Sequence, residues 1–86
     1  MIERERSYRG ISSRAALGYL ESVGGEEVGE DRVSGDGWTA AVTEDTVSIG
    51  PSIQLTEVTV TFEGESEAVL DPLIERFSQK AIRAGG

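Results

Sequence analysis

Near residue 64 the apolar spacing changes period, and that change restricts the folds open to this chain more than any other feature. Val58, Val60 and Phe62 alternate with Thr59, Thr61 and Glu63, the period-two pattern of a strand with one buried face. From Ser66 onward Leu70, Leu73, Ile74, Phe77, Ala81 and Ala84 recur at helical spacing, which predicts a helix over roughly 66–84 with a single apolar stripe. A half-buried strand and a one-sided helix bury their apolar sides when the helix lies across the sheet. Pro72 leaves the helix start open. Either Asp71 caps it with Pro72 in the first position, or a first turn from Ser66 is distorted at Pro72.

The same reasoning carries back toward the N-terminus. Residues 3–10 suit an edge strand in which Tyr8 adds a little buried area and the charges discourage further pairing. Gly10 breaks that segment, and Ser12 or Ser13 caps a helix over 14–23. Its stripe is Ala16, Leu17, Leu20 and Val23, and Gly24-Gly25 ends it. Four short strands are then expected. The first, about 26–34, contributes Val28 and Val33. A tight turn at Gly35-Asp36-Gly37 leads to a second with Trp38, Ala40 and Val42 on its core face. Glu44-Asp45 reads as another turn, followed by Val47 and Ile49, and Gly50-Pro51-Ser52 interrupts or ends that third strand. The fourth is 53–63. Ile53 and Leu55 have the opposite parity to Val58, so a bulge near Leu55–Glu57 is expected, unless 53–55 forms a loop or packs on the far face. The expected fold is one α+β domain over 1–86, in the order β-α-β-β-β-β-α, with a curved antiparallel sheet and both helices on one face.

Composition sets the environment. Sixteen acidic residues face eight basic ones, of which Lys80 is the only lysine, for a net charge of -8 on 86 residues. Such a surface repels itself in dilute buffer and is relieved when salt screens it. Scarce lysine with abundant Asp, Glu, Gly, Val and Thr fits a salt-saturated cytoplasm. A domain this short buries only about 60–65% of its unfolded surface, so a partner or dimer contact would help it. There is no cysteine and no histidine. That removes thiolate chemistry, the commonest general acid–base and the commonest transition-metal ligand, and no cofactor is implied. The opening Met1-Ile2-Glu3-Arg4-Glu5-Arg6 is too charged for a signal peptide, and no apolar run approaches a membrane span. The expectation is a cytoplasmic protein, not an enzyme, with no nucleic-acid or membrane partner. Glu26-Glu27 and Glu30-Asp31 could attract a hard cation, but without a recognisable ligand spacing they read as solvated surface.

Three stretches carry a resemblance: Tyr8-Arg9-Gly10-Ile11-Ser12 into Leu17-Gly18-Tyr19-Leu20; Gly35-Asp36-Gly37-Trp38 through Gly50-Pro51-Ser52; and Leu55 through Gly64 running to Gln79-Lys80-Ala81. With the terminal Arg83-Ala84-Gly85-Gly86 they resemble small haloarchaeal proteins grouped with the MoaD-related C-terminal domain. The order β-α-β₄-α is also that of the TATA-binding-protein-like architecture, which implies nothing about DNA binding. In some relatives the domain follows a MoaD-like sulfur carrier, so the resemblance implies a sulfur-transfer or molybdopterin setting. It brings no catalytic residues.

Two functions from different classes are open. The first is a non-enzymatic binding or assembly domain, associating with itself or another protein. Thr39, Thr43, Thr59 and Thr61 are expected on the far face of the sheet, bordered by Pro51, as its contact surface; alternatively they are ordinary solvated strand. The second is a sulfur carrier or protein modifier activated at Gly86, since adenylating enzymes take a slim, flexible Gly-Gly tail. Against this, Gly85-Gly86 can simply stop a helix. Trp38 is expected in the core; exposed, it would mark a contact site.

Overall fold

A computed structural model describes residues 1–85. The elements are β1 (Ile2–Arg9), α1 (Ser13–Ser22), β2 (Glu26–Gly29), β3 (Arg32–Gly35), β4 (Trp38–Ser48), β5 (Gln54–Gly64) and α2 (Glu67–Gly85). The five strands form one antiparallel sheet in the order β1-β5-β4-β3-β2. Both helices pack on the same side, touching each other as well as the strands. The expected class and element order therefore hold.

Local chemistry explains the boundaries. The Ser12 side chain accepts the Ala15 amide at 3.1 Å and caps α1. Gly24, at φ 107°, closes the other end, with its own amide on Glu21 O and the Gly25 amide on Leu20 O. Between β3 and β4 the turn is Asp36-Gly37, and Gly37 supplies the positive φ of 81°. Of the two starts open to α2, the longer one occurs. The helix begins after Ser66, whose carbonyl accepts the Val69 and Leu70 amides, and Pro72 lies inside it. Pro72 and Ala68, whose carbonyl loses its i+4 donor, are both exposed, so water can meet that carbonyl.

The core lies between sheet and helices. It comprises Val33, Trp38, Ala40, Val42, Val58, Val60 and Phe62 from the strands, with Ile11, Ala16, Leu20, Leu70, Leu73, Phe77 and Ala81 above them. Phe77 is the hub. Its ring meets Tyr8, Phe62 and Tyr19 edge-on at centroid distances of 5.1, 5.7 and 6.2 Å, tying α2 to β1, β5 and α1. Trp38 is buried, as expected, and its indole lies against the backbones of Gly25 and Gly35.

Three expectations fail. The segment 26–34 is two strands, β2 and β3, joined by a turn at Glu30-Asp31. Glu44-Asp45 is no turn: β4 runs straight through it to Ser48. Glu44 points to the helical side, where its carboxylate accepts the Ser13 amide at 2.8 Å at the start of α1, a favourable place for an anion. Nor is there a bulge near Leu55–Glu57. The β4–β5 register is continuous from Trp38↔Gly64 to Ser48↔Gln54. The apolar residues therefore change face partway along a regular hairpin.

Candidate functional site

Strand parity settles which side chains share the face without helices. On β4 and β5 it holds Thr39, Ala41, Thr43, Asp45 and Val47 beside Leu55, Glu57, Thr59, Thr61 and Glu63. Thr43 sits opposite Thr59, Ala41 opposite Thr61, and Thr39 opposite Glu63. All four threonines singled out from the sequence thus lie on one face. A shallow depression of about 60 Å³ at its centre is lined by Arg32, Thr39, Ala41, Thr61 and Glu63. Toward β1 the Ser7 and Thr59 hydroxyls are 3.2 Å apart.

Farther along the hairpin the face becomes apolar. Val47 is paired with Leu55, and the Ile49 amide donates to Ile53 O at 2.9 Å, which continues the same register. Val47, Leu55, Ile49 and Ile53 therefore form a contiguous group on the uncovered face. Ile49 is 53% exposed, Ile53 58% and Leu55 37%. On the opposite side Thr46, Ser48 and Gln54 are also exposed. Beyond Glu44 and Val58 the hairpin thus leaves the cover of the helices, in a molecule measuring 43 × 23 × 22 Å. Pro51 lies in the exposed tip, past the apolar group and not among the threonines.

Charge at the hairpin base is balanced locally. Asp45 faces Glu57, a like-charge cross-strand pair, and Arg9 offsets it through a 3.2 Å bridge to Glu57. Arg9 is exposed and Glu57 half-buried, so the bridge chiefly relieves repulsion.

A second concavity runs along the sheet edge. A groove of about 510 Å³ lies between β1 and the end of α2, lined by Arg6, Ser7, Tyr8, Arg9, Ser78, Ala81 and Ile82. Ile82 is 68% exposed there. The Tyr8 hydroxyl hydrogen-bonds Ser78 at 2.8 Å. Burial pushes the Tyr8 phenol above its ordinary value, while the Ser78 bond and the Arg6 charge pull it partly back. A raised folded-state pKa means stability is intact below about pH 10 and falls as pH rises through it, because the unfolded chain ionises first. Melting temperature followed from pH 8 upward should show that fall, and Tyr8→Phe should flatten it.

The acidic residues gather along a third groove, of about 470 Å³, where Glu21, Glu27, Glu30 and Asp31 stand with Arg14. Among the described residues no three acids converge tightly enough to hold a metal ion, and no helix is long and apolar enough to cross a membrane. Of the tail, Gly85 falls within α2, and Gly86 lies outside the described residues.

The match to a known family spans almost the whole chain: residues 4–86 fit the profile of the archaeal MoaD-like protein family. The chain belongs to that family. A search of curated proteins gave no match. As an archaeal MoaD-like protein the chain is a small sulfur-carrier-related protein, and the MoaD-related part of the resemblance seen in the sequence is supported. In this MoaD-like chain the far-face placement of Ile53 and Leu55, one of the alternatives open from the sequence, is the one that occurs.

Proposed function

We propose that this chain is a non-enzymatic binding and assembly domain, an accessory in a sulfur-carrier or molybdopterin-related setting. It engages another protein, or a second copy of itself, through the side of its sheet that the helices leave open. One observation carries this reading: Val47, Ile49, Ile53 and Leu55 share the uncovered face of a hairpin that extends past the helical layer. An apolar group kept in water while the core is filled by other residues is typical of contact surfaces.

The reading is tested by a photo-crosslinking residue at position 53 in the native cytoplasm. The expected result is a discrete adduct with one identifiable protein, reduced about tenfold or more by Ile49→Asp. The melting temperature should stay within about 2 °C, since Ile49 is exposed. An adduct indifferent to Ile49→Asp, or none at all, overturns the reading.

Family membership favours a second reading, a sulfur carrier or modifier activated at Gly86. The helical state of Gly85 weighs against it, because such a tail must be extended to enter an adenylating enzyme. Intact mass of the untagged protein from its native host separates the two. A thiocarboxylate, or a conjugate through Gly86, supports the carrier.

A further inference from the structure

Hydrogen-bond parity shows what the β1 edge offers. The Gly10 amide donates to Thr56 O at 3.1 Å, and these residues continue the β1–β5 register of Arg9↔Glu57. In an antiparallel ladder bonded and non-bonded pairs alternate, so the even residues of β1 bond β5. The backbone groups of Glu3, Glu5, Ser7 and Arg9 therefore face outward. Two of those outward carbonyls are covered by the chain's own side chains. Arg4 donates to Glu3 O at 3.0 Å and Arg6 to Glu5 O at 2.8 Å. Ser7 and Arg9 carry no such cover among the described residues, and they border the groove containing Tyr8 and Ile82.

We propose that two copies of this chain pair antiparallel through β1, about a twofold axis at Ser7. The inference goes beyond the assembly reading above: it names a second copy as partner and places it at the sheet edge, apart from the hairpin face. Outward amides on odd residues require odd to meet odd, so only a few registers are open. With Ser7 opposite Ser7, Glu5 meets Arg9 of the second copy on the uncovered face, and Arg6 meets the Tyr8 of the second copy on the helical face. The first pair is an ion pair, and the second sets a guanidinium beside a phenol ring. Sliding the strands by one bonded pair toward the N-terminus sets Arg6 against Arg6, and sliding further sets Glu5 against Glu5. Sliding the other way leaves little of β1 paired. The sequence of β1 thus discriminates among its own registers.

Pairing also uses what the edge leaves unfilled. The incoming strand lies along the groove beside Ile82, and Arg6 exchanges the Glu5 carbonyl for the second copy's ring while that carbonyl gains a backbone donor. Charge selects this edge over the other. Three of the eight basic residues, Arg4, Arg6 and Arg9, stand in β1. β2, at the far edge, has four residues, begins Glu26-Glu27 and is irregular between Glu27 and Gly29, features that blunt an edge.

Because the chain lacks cysteine, Ser7→Cys gives a single reporter. Directly paired Cα atoms at a bonded position lie about 5.5 Å apart, so a short bismaleimide should link most of the protein as dimer in molar salt. Thr61→Cys, on the same face but inside the sheet, should remain unlinked. Arg9→Glu should weaken the dimer about tenfold by sedimentation, and Glu5→Arg in the same chain should restore it. Three outcomes overturn the proposal: a wild-type monomer at high protein concentration, linkage of the Thr61→Cys variant but not of Ser7→Cys, or a dimer indifferent to Arg9→Glu. Those outcomes leave the hairpin adduct at position 53 standing or falling by itself.

Discussion

Replacing Phe77 by alanine should cost about 3–5 kcal/mol, a large share of the roughly 4–13 kcal/mol expected for a chain of this length. Phe77 is fully buried, and its ring touches an aromatic from each of β1, β5 and α1. Truncation loses the transfer free energy of the ring and leaves a cavity walled by Tyr8, Tyr19 and Phe62. Those rings are held from different elements and cannot all collapse into it. Urea unfolding in molar salt should show a midpoint lowered by about a quarter or more, with the slope kept. Ile82→Ala, farther along α2 but exposed, should change the midpoint little. A small Phe77→Ala effect would show that the hub is not where this core is held.

Gly35→Ala, a change of one methyl group, should cost about 1–3 kcal/mol from overpacking. A Cβ built at Gly35 falls within the Trp38 indole, directly across the hairpin. The ring cannot retreat, because on Gly25 an added Cβ would come within 2.7 Å of its Cη2. The two glycine backbones thus frame the indole. In a Trp38→Phe background the smaller ring leaves room, so Gly35→Ala should cost less there. A double-mutant cycle by urea unfolding measures the coupling, and strict additivity would mean that steric conflict is not the cause.

Much of this molecule was legible in its sequence where structure is decided locally. The alternation Val58-Val60-Phe62, the Leu70–Phe77 stripe, the glycines after α1 and the Asp36-Gly37 turn each specify their element from within a few residues. Parity likewise placed Thr39, Thr43, Thr59 and Thr61 on one face. What could not be read depends on distant partners. Glu44 stays in a strand, where its carboxylate meets the Ser13 amide 31 residues away, and no local pattern reports that. The opposite parity of Ile53 and Leu55 was visible, but a bulge and an uncovered apolar face predict the same alternation. Only the unbroken register with β4 chooses between them. The glycines around Trp38 are similarly mute, since turn glycines and packing glycines look alike in one sequence.

The hairpin that joins β4 and β5 has two halves of unequal security. From Trp38 to Val42 and from Val58 to Gly64 its ladder is roofed by both helices; from Val47 to Leu55, past the last contact with β1, it is a two-stranded ribbon in water. A ribbon without a hydrophobic roof is marginal by itself, so the outer amides should open and exchange with deuterium at a free energy well below that of global unfolding. The tip can then fray and re-form while the rest of the molecule stays folded. A protein seated on Ile49 and Ile53 would supply the missing roof, so that its binding is recorded as slowed exchange at 47–55 alone.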